Sequence, residues 1–131
     1  MSAKPGFPPH VVQLIWERDR QSCARCGRGL IWDRRGQDWA VHHRRPRGSG
    51  GTSIPWVNRA ANGVLLCTGC HNSIEVNRFD ATLTGFLVPR LGKLEACDVP
   101  IAHAFYGRAY LDDEGGVTPV YPPTSRQALA A

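Results

Sequence analysis

Residues 61–71 read ANGVLLCTGCH, and their meaning depends on CARC at 23–26. Each stretch holds two cysteines two residues apart, so Cys23, Cys26, Cys67 and Cys70 can offer four thiolates. Four sulfur ligands close a tetrahedral zinc site and leave no position for water, which makes such a metal structural. A redox motif needs one CxxC in a βαβ context; two pairs and no such context favour metal. The 40 residues between the pairs exceed the usual ribbon spacing, so a folded insert must be clamped between two knuckles. With the zinc satisfied by sulfur, the histidine that follows Cys70 is left for other work.

The chain has 131 residues, enough for one domain with appendages and a modest core that a metal would help to hold. Net charge is +5, and it is unevenly spread. Residues 1–78 carry 12 Lys/Arg against 5 Asp/Glu, whereas residues 79–131 carry 4 against 6. The basic excess therefore lies with the cysteines and histidines, which suits a polyanionic partner. No stretch approaches the roughly 20 apolar residues of a membrane span, and the first residues lack a signal-peptide core. Cysteines in CxxC pairs fit a reducing compartment, and the fifth, Cys97, reads as a small buried apolar residue.

Met1 to Phe7 reads as disordered. PHVVQLIWERDRQ, with Pro at its start and Val11, Leu14 and Ile15 at helical spacing, predicts a helix over about 9–21. LIWDRRGQDWAVHH predicts two short strands, about 30–33 and 39–44, around a turn at Asp33–Gly36. RRPRGSGGTSIPW is a loop, and GVLL a short apolar run into the second knuckle. A helix is expected over about 70–81, with Gly85 able to cap its end. A hairpin follows, its turn at Asp112–Gly116. The expected organisation is a short disordered N-terminus (1–8), a zinc-bearing domain (9–90), an extension with a β-hairpin (91–122) and a flexible tail (123–131).

The order CxxC, then HHRRPRG, then NGVLLCTGCH resembles the HNH endonucleases of the ββα-metal class, over about residues 23–88. SIEVNR, GFLVP and YLDDEGG are in addition similar to small HNH proteins of actinobacterial phages. The resemblance implies an α+β fold: a small zinc-stabilised ββα-metal domain with an N-terminal helix and a C-terminal β-hairpin. It implies that His43 is the general base activating water against a DNA phosphodiester, and that Asn62 holds the catalytic loop and orients that base. His42 and His71 then match the ligands of a catalytic divalent ion, Mg²⁺ or Mn²⁺, with Zn²⁺ or Ni²⁺ as alternatives. Glu75, one helical turn after His71, is either a third ligand or a solvated residue. An imidazole titrating near 6.5 suits proton abstraction at neutral pH. Adjacent residues of a strand face opposite ways, so His42 and His43 can serve one site only where the strand ends or twists. Two departures from the family pattern stand out. Gly63 follows Asn62 where an apolar residue is usual, and a lysine often found after the last histidine is absent.

Arg44, Arg45 and Arg47 follow the expected base and read as phosphate contacts, which position a duplex without reading its sequence. The partner implied is double-stranded DNA, nicked or cut, with phage terminase subunits beside it and the cytoplasm of a bacterial host as the setting. The oligomeric state stays open between a monomer and a weak dimer. The competing reading is a non-catalytic zinc module that binds nucleic acid, in which the histidines are structural.

Overall fold

The computed structural model describes residues 6–46, 54–89 and 93–120. Helix α1 (Pro9–Arg18) begins after an extended Pro8, with proline in its first turn where the missing N–H leaves no gap. It buries Val11, Val12, Ile15 and Trp16 on one face. The helix stops three residues short of the expected 21. Asp19 caps it, and Arg20 and Gln21 take left-handed φ values of 59° and 57° that turn the chain toward the first knuckle. Phe7 is 9% exposed and packed in the core, so the disorder expected through residue 8 does not extend to it. Residues 1–5 and the tail from 121 lie outside the described residues.

The strand expected at 30–33 is absent. Ile31 and Trp32 are largely exposed, and Trp32–Arg34 form a single 3-10 turn. The partner of β1 (Trp39–His43) is instead β2 (Gly63–Cys67), paired antiparallel with His43 opposite Gly63 and Trp39 opposite Cys67. All five residues of β2 are buried, which explains an unbroken GVLL run where an amphipathic strand would alternate. Leu65 faces α1 and joins Phe7, Ile15, Trp16 and Trp39. Val64 and Leu66 face the other way, into a second cluster with Ile74, Phe86, Ile101 and Leu111.

The helix expected over 70–81 is two helices. α2 (Thr68–Val76) and α3 (Arg78–Leu83) break at Asn77, whose side-chain oxygen accepts from the Asp80 N–H at 3.1 Å and caps α3. Gly85 follows with φ 85°, and a Cβ there would lie 2.0 Å from the Pro100 carbonyl oxygen. The C-terminal hairpin, β4 (Gly107–Leu111) and β5 (Val117–Pro119), gains a third antiparallel strand, β3 (Ile101–His103). Asp112 ties its turn by accepting from the N–H groups of Glu114 and Gly116. The C-terminal extension shares its core with the two cysteine knuckles, since Ile101 and Leu111 lie in one cluster with Cys23 and Cys67. The Ala104 N–H also donates to the Ala24 carbonyl at 2.7 Å. Among the described residues no helix is long and apolar enough to cross a membrane. The architecture is α+β.

Candidate functional site

The two knuckles meet at the junction of β2 and α2. The Sγ atoms of Cys23, Cys26, Cys67 and Cys70 all lie within 4.8 Å of one another, and those of Cys26 and Cys67 are 3.9 Å apart. Zinc–sulfur bonds of about 2.3 Å in a tetrahedron require sulfurs about 3.8 Å apart, so the donor set fits zinc. In each knuckle a backbone N–H points at the first sulfur, Cys26 N at Cys23 Sγ and Cys70 N at Cys67 Sγ. Burial pushes the Cys70 thiol up to about 12, against a hydrogen bond from Arg25 Nη1 at 3.3 Å. Binding a cation there therefore displaces protons. Cys97, expected to be buried, is half-buried against the core. Burial, with Asp98 and Glu95 beside it, raises its pKa and keeps it a thiol.

At the C-terminal end of β1, Val41, His42, His43, Pro46, His71 and Glu75 line one cleft of about 240 Å³. The strand ends at His43, so both adjacent histidines reach this cleft although they stand on opposite sides of the strand. His42 is buried, and its Nε2 lies 2.7 Å from the Phe86 carbonyl oxygen. A carbonyl only accepts, so Nε2 carries the hydrogen and Nδ1 keeps a lone pair. Burial pulls the pKa of His42 down to about 4, opposed by the bond to Phe86 and reinforced by the charges of His71, His43 and Arg44. The ring is therefore neutral at pH 7, the form that ligates metals. His71, in the first turn of α2, meets it edge-on with ring centroids 5.3 Å apart. Two imidazoles on one ion at about 2.1 Å and a near-tetrahedral angle would sit at about that separation. Glu75 lies one turn on, exposed, with Oε1 3.0 Å from Arg78 Nη1. His42, His71 and Glu75 share the cleft but do not converge as tightly as the four cysteines do.

Asn62 is fully buried in the 3-10 turn Ala60–Asn62. Its Oδ1 accepts from the Arg45 N–H at 2.7 Å, and its Nδ2 donates to the carbonyls of Arg45 and Val57 at 3.2 and 2.7 Å. It thus clasps the chain leaving β1 to the chain entering β2. It is a different asparagine that touches His43: Asn58 Oδ1 lies 2.8 Å from His43 Nε2. The other face of the His43 ring region is taken by Phe7, stacked at 4.1 Å and 19°. A Cβ on Gly63 would lie 2.5 Å from Ile15 Cδ1 and 2.8 Å from Phe7 Cζ, so the glycine after Asn62 makes room for that ring. Sequence reading missed Asn58 and Phe7; the unusual glycine at 63 was a signal for Phe7, and Asn58 had none.

The three arginines separate. Arg44, expected on phosphate, is 0% exposed and faces inward. Its Nε donates to the Gly85 carbonyl, Nη1 to those of Ala61 and Ala96, and Nη2 to that of Val99, at 2.6–3.1 Å. Burial lowers its pKa to about 9, so the cation persists at neutral pH as a structural strut. Arg45 lies over the Trp56 ring at 5.9 Å, and its Nε is buried with no hydrogen-bond partner. Arg47 lies outside the described residues.

Residues 23–76 match a family model described as HNH endonuclease. No curated protein and no solved structure matches the chain.

Proposed function

We propose that this protein is a metal-dependent DNA endonuclease whose HNH-matching segment hydrolyses phosphodiester bonds. The observation that carries the reading is the convergence of His42, His43 and His71 on one cleft, beside a four-cysteine cluster that can fix the helix bearing His71. His43 acts as general base: Nδ1 takes a proton as water attacks phosphorus and the bond to the 3′ oxygen breaks; that oxygen takes a proton from solvent, giving 5′-phosphate and 3′-hydroxyl ends. His42 and His71 would hold the catalytic divalent ion, Mg²⁺ or Mn²⁺, with Glu75 as a further donor. The chemistry supplied there is neutralisation of charge on the phosphate and on the leaving oxygen. Asn62 acts through the backbone, keeping the exit of β1 at a fixed distance from the loop before β2. The partly exposed Arg45 guanidinium, on the chain just beyond His43, suits a phosphate oxygen. Zinc on Cys23, Cys26, Cys67 and Cys70 is structural. The setting proposed with it, beside a DNA-packaging terminase in a bacterial host, rests on the resemblance of SIEVNR, GFLVP and YLDDEGG to small phage proteins.

The test is incubation of supercoiled plasmid with the zinc-loaded protein and its His43→Ala variant, in Mg²⁺, in Mn²⁺ and in EDTA. Nicking that needs the divalent ion and disappears in the folded variant supports the assignment. Binding of the plasmid without cleavage under every condition would replace it with the non-catalytic zinc module.

A further inference from the structure

We propose that Asn58 and Phe7, rather than Asn62, are the residues that position the His43 ring, a claim that rests on the nuclease reading for its effect on rate. Asn62 has its amide oxygen on Arg45 N and its amide nitrogen on the carbonyls of Arg45 and Val57, so these hydrogen bonds all go to backbone. Asn58 places Oδ1 2.8 Å from His43 Nε2. An amide oxygen is an acceptor only, which requires the hydrogen on Nε2 and therefore the lone pair on Nδ1. The bond thus selects one tautomer, and with it the nitrogen that can take a proton from water. A hydrogen bond along the ring plane still allows the imidazole to swing about that axis. Phe7 removes that freedom by lying nearly parallel to it, 19° between planes and 4.1 Å between centroids. Gly63, opposite His43, makes room for the Phe7 ring, since a Cβ there would lie 2.8 Å from Phe7 Cζ. Phe7 lies before the family-matched segment, which begins at Cys23, whereas Asn58 lies within it. The device thus joins a residue from the N-terminal stretch to one inside that segment.

Two readouts test it on the zinc-loaded full chain. The first is plasmid-nicking kinetics, with KM and kcat separated. The second is the ¹⁵N signature of the His43 side chain, recorded without divalent ion, which reports the tautomer whether or not DNA is cut. Asn58→Ala is expected to lower kcat about 10- to 100-fold with KM little changed. It should also remove the dominance of the Nε2–H tautomer. Asn58→Asp, which keeps an acceptor oxygen in place, should restore the tautomer and most of kcat. Phe7→Leu preserves apolar volume without a flat face and should lower kcat while leaving the tautomer as it is. Should Asn58→Ala retain both the wild-type kcat and the Nε2–H tautomer, the positioning role is wrong. Should the wild type fail to cut DNA, the nuclease reading falls, and the tautomer comparison still decides whether Asn58 sets His43.

Discussion

The guanidinium of Arg44 gives its hydrogens to carbonyls inside the fold, whereas that of its neighbour Arg45 lies over Trp56 with Nε unpaired. The two should respond differently to substitution. Each phosphate contact adds about 0.9 to the slope of log affinity against log salt for duplex DNA. Arg45→Ala is expected to lower that slope by about 0.9 in a fluorescence-anisotropy titration with DNA. Arg44→Met should leave the slope unchanged and lower the urea midpoint. In the sequence both residues look alike, two members of an RRPR run after two histidines. What separates them is which way each side chain leaves the end of β1, and a charge is read as exposed by default because burial without a partner is costly. Here backbone carbonyls supply the compensation, and they leave no trace in the residue pattern.

At the level of elements, the cysteine cluster joins the end of β2 to the start of α2, so metal binding and local folding are coupled. Chelation should release about one zinc per chain and lower the melting temperature, as read by far-UV circular dichroism and metal analysis. Because thiolates are the ligands and burial pushes Cys70 up to about 12, protons compete with the metal, and apparent zinc affinity should weaken as pH falls. This site was legible because its four ligands declare themselves by spacing. The sheet was half legible. WAVHH was read as a strand, but its partner was sought in LIWD, across an obvious turn. GVLLC, fully buried on both faces, has no alternation, and a short apolar run of that kind does not distinguish strand from buried helix. The helix break at Asn77 and the end of α1 at Arg18 escaped for a related reason. Both depend on polar side chains or left-handed residues other than glycine, where sequence reading looks for glycine or proline.

Across the whole molecule, Asp19 joins three parts of the chain. It accepts from Arg18 Nε at 2.8 Å, His103 Nε2 at 2.8 Å and the Leu65 N–H at 3.0 Å, all buried. His103 Nδ1 in turn accepts from the Phe105 N–H, so both ring nitrogens are engaged. Asp19→Asn should cost about 3–5 kcal/mol in urea denaturation, because it leaves Arg18 buried without its counter-charge. Burial alone would raise the Asp19 carboxyl, but Arg18 and the bond from His103 outweigh it and hold the pKa below 3.8. A depressed folded value means the contribution is complete above about 3.8 and is lost as pH falls through the folded pKa. The wild type should therefore lose stability over that acid range more steeply than Asp19→Asn does. Such long-range ties were invisible in the sequence, where Asp19 and His103 are 84 residues apart.

Arg44 also decides what can be done with the family-matched segment as a part. Three of its four carbonyl acceptors, Gly85, Ala96 and Val99, come from beyond residue 76. Residues 23–76 are thus no interchangeable cassette: transplanted into a foreign scaffold, they would carry an interior cation stripped of most of its solvation. Any chimera built around these histidines must bring the following two dozen residues along, or replace Arg44 before it is moved.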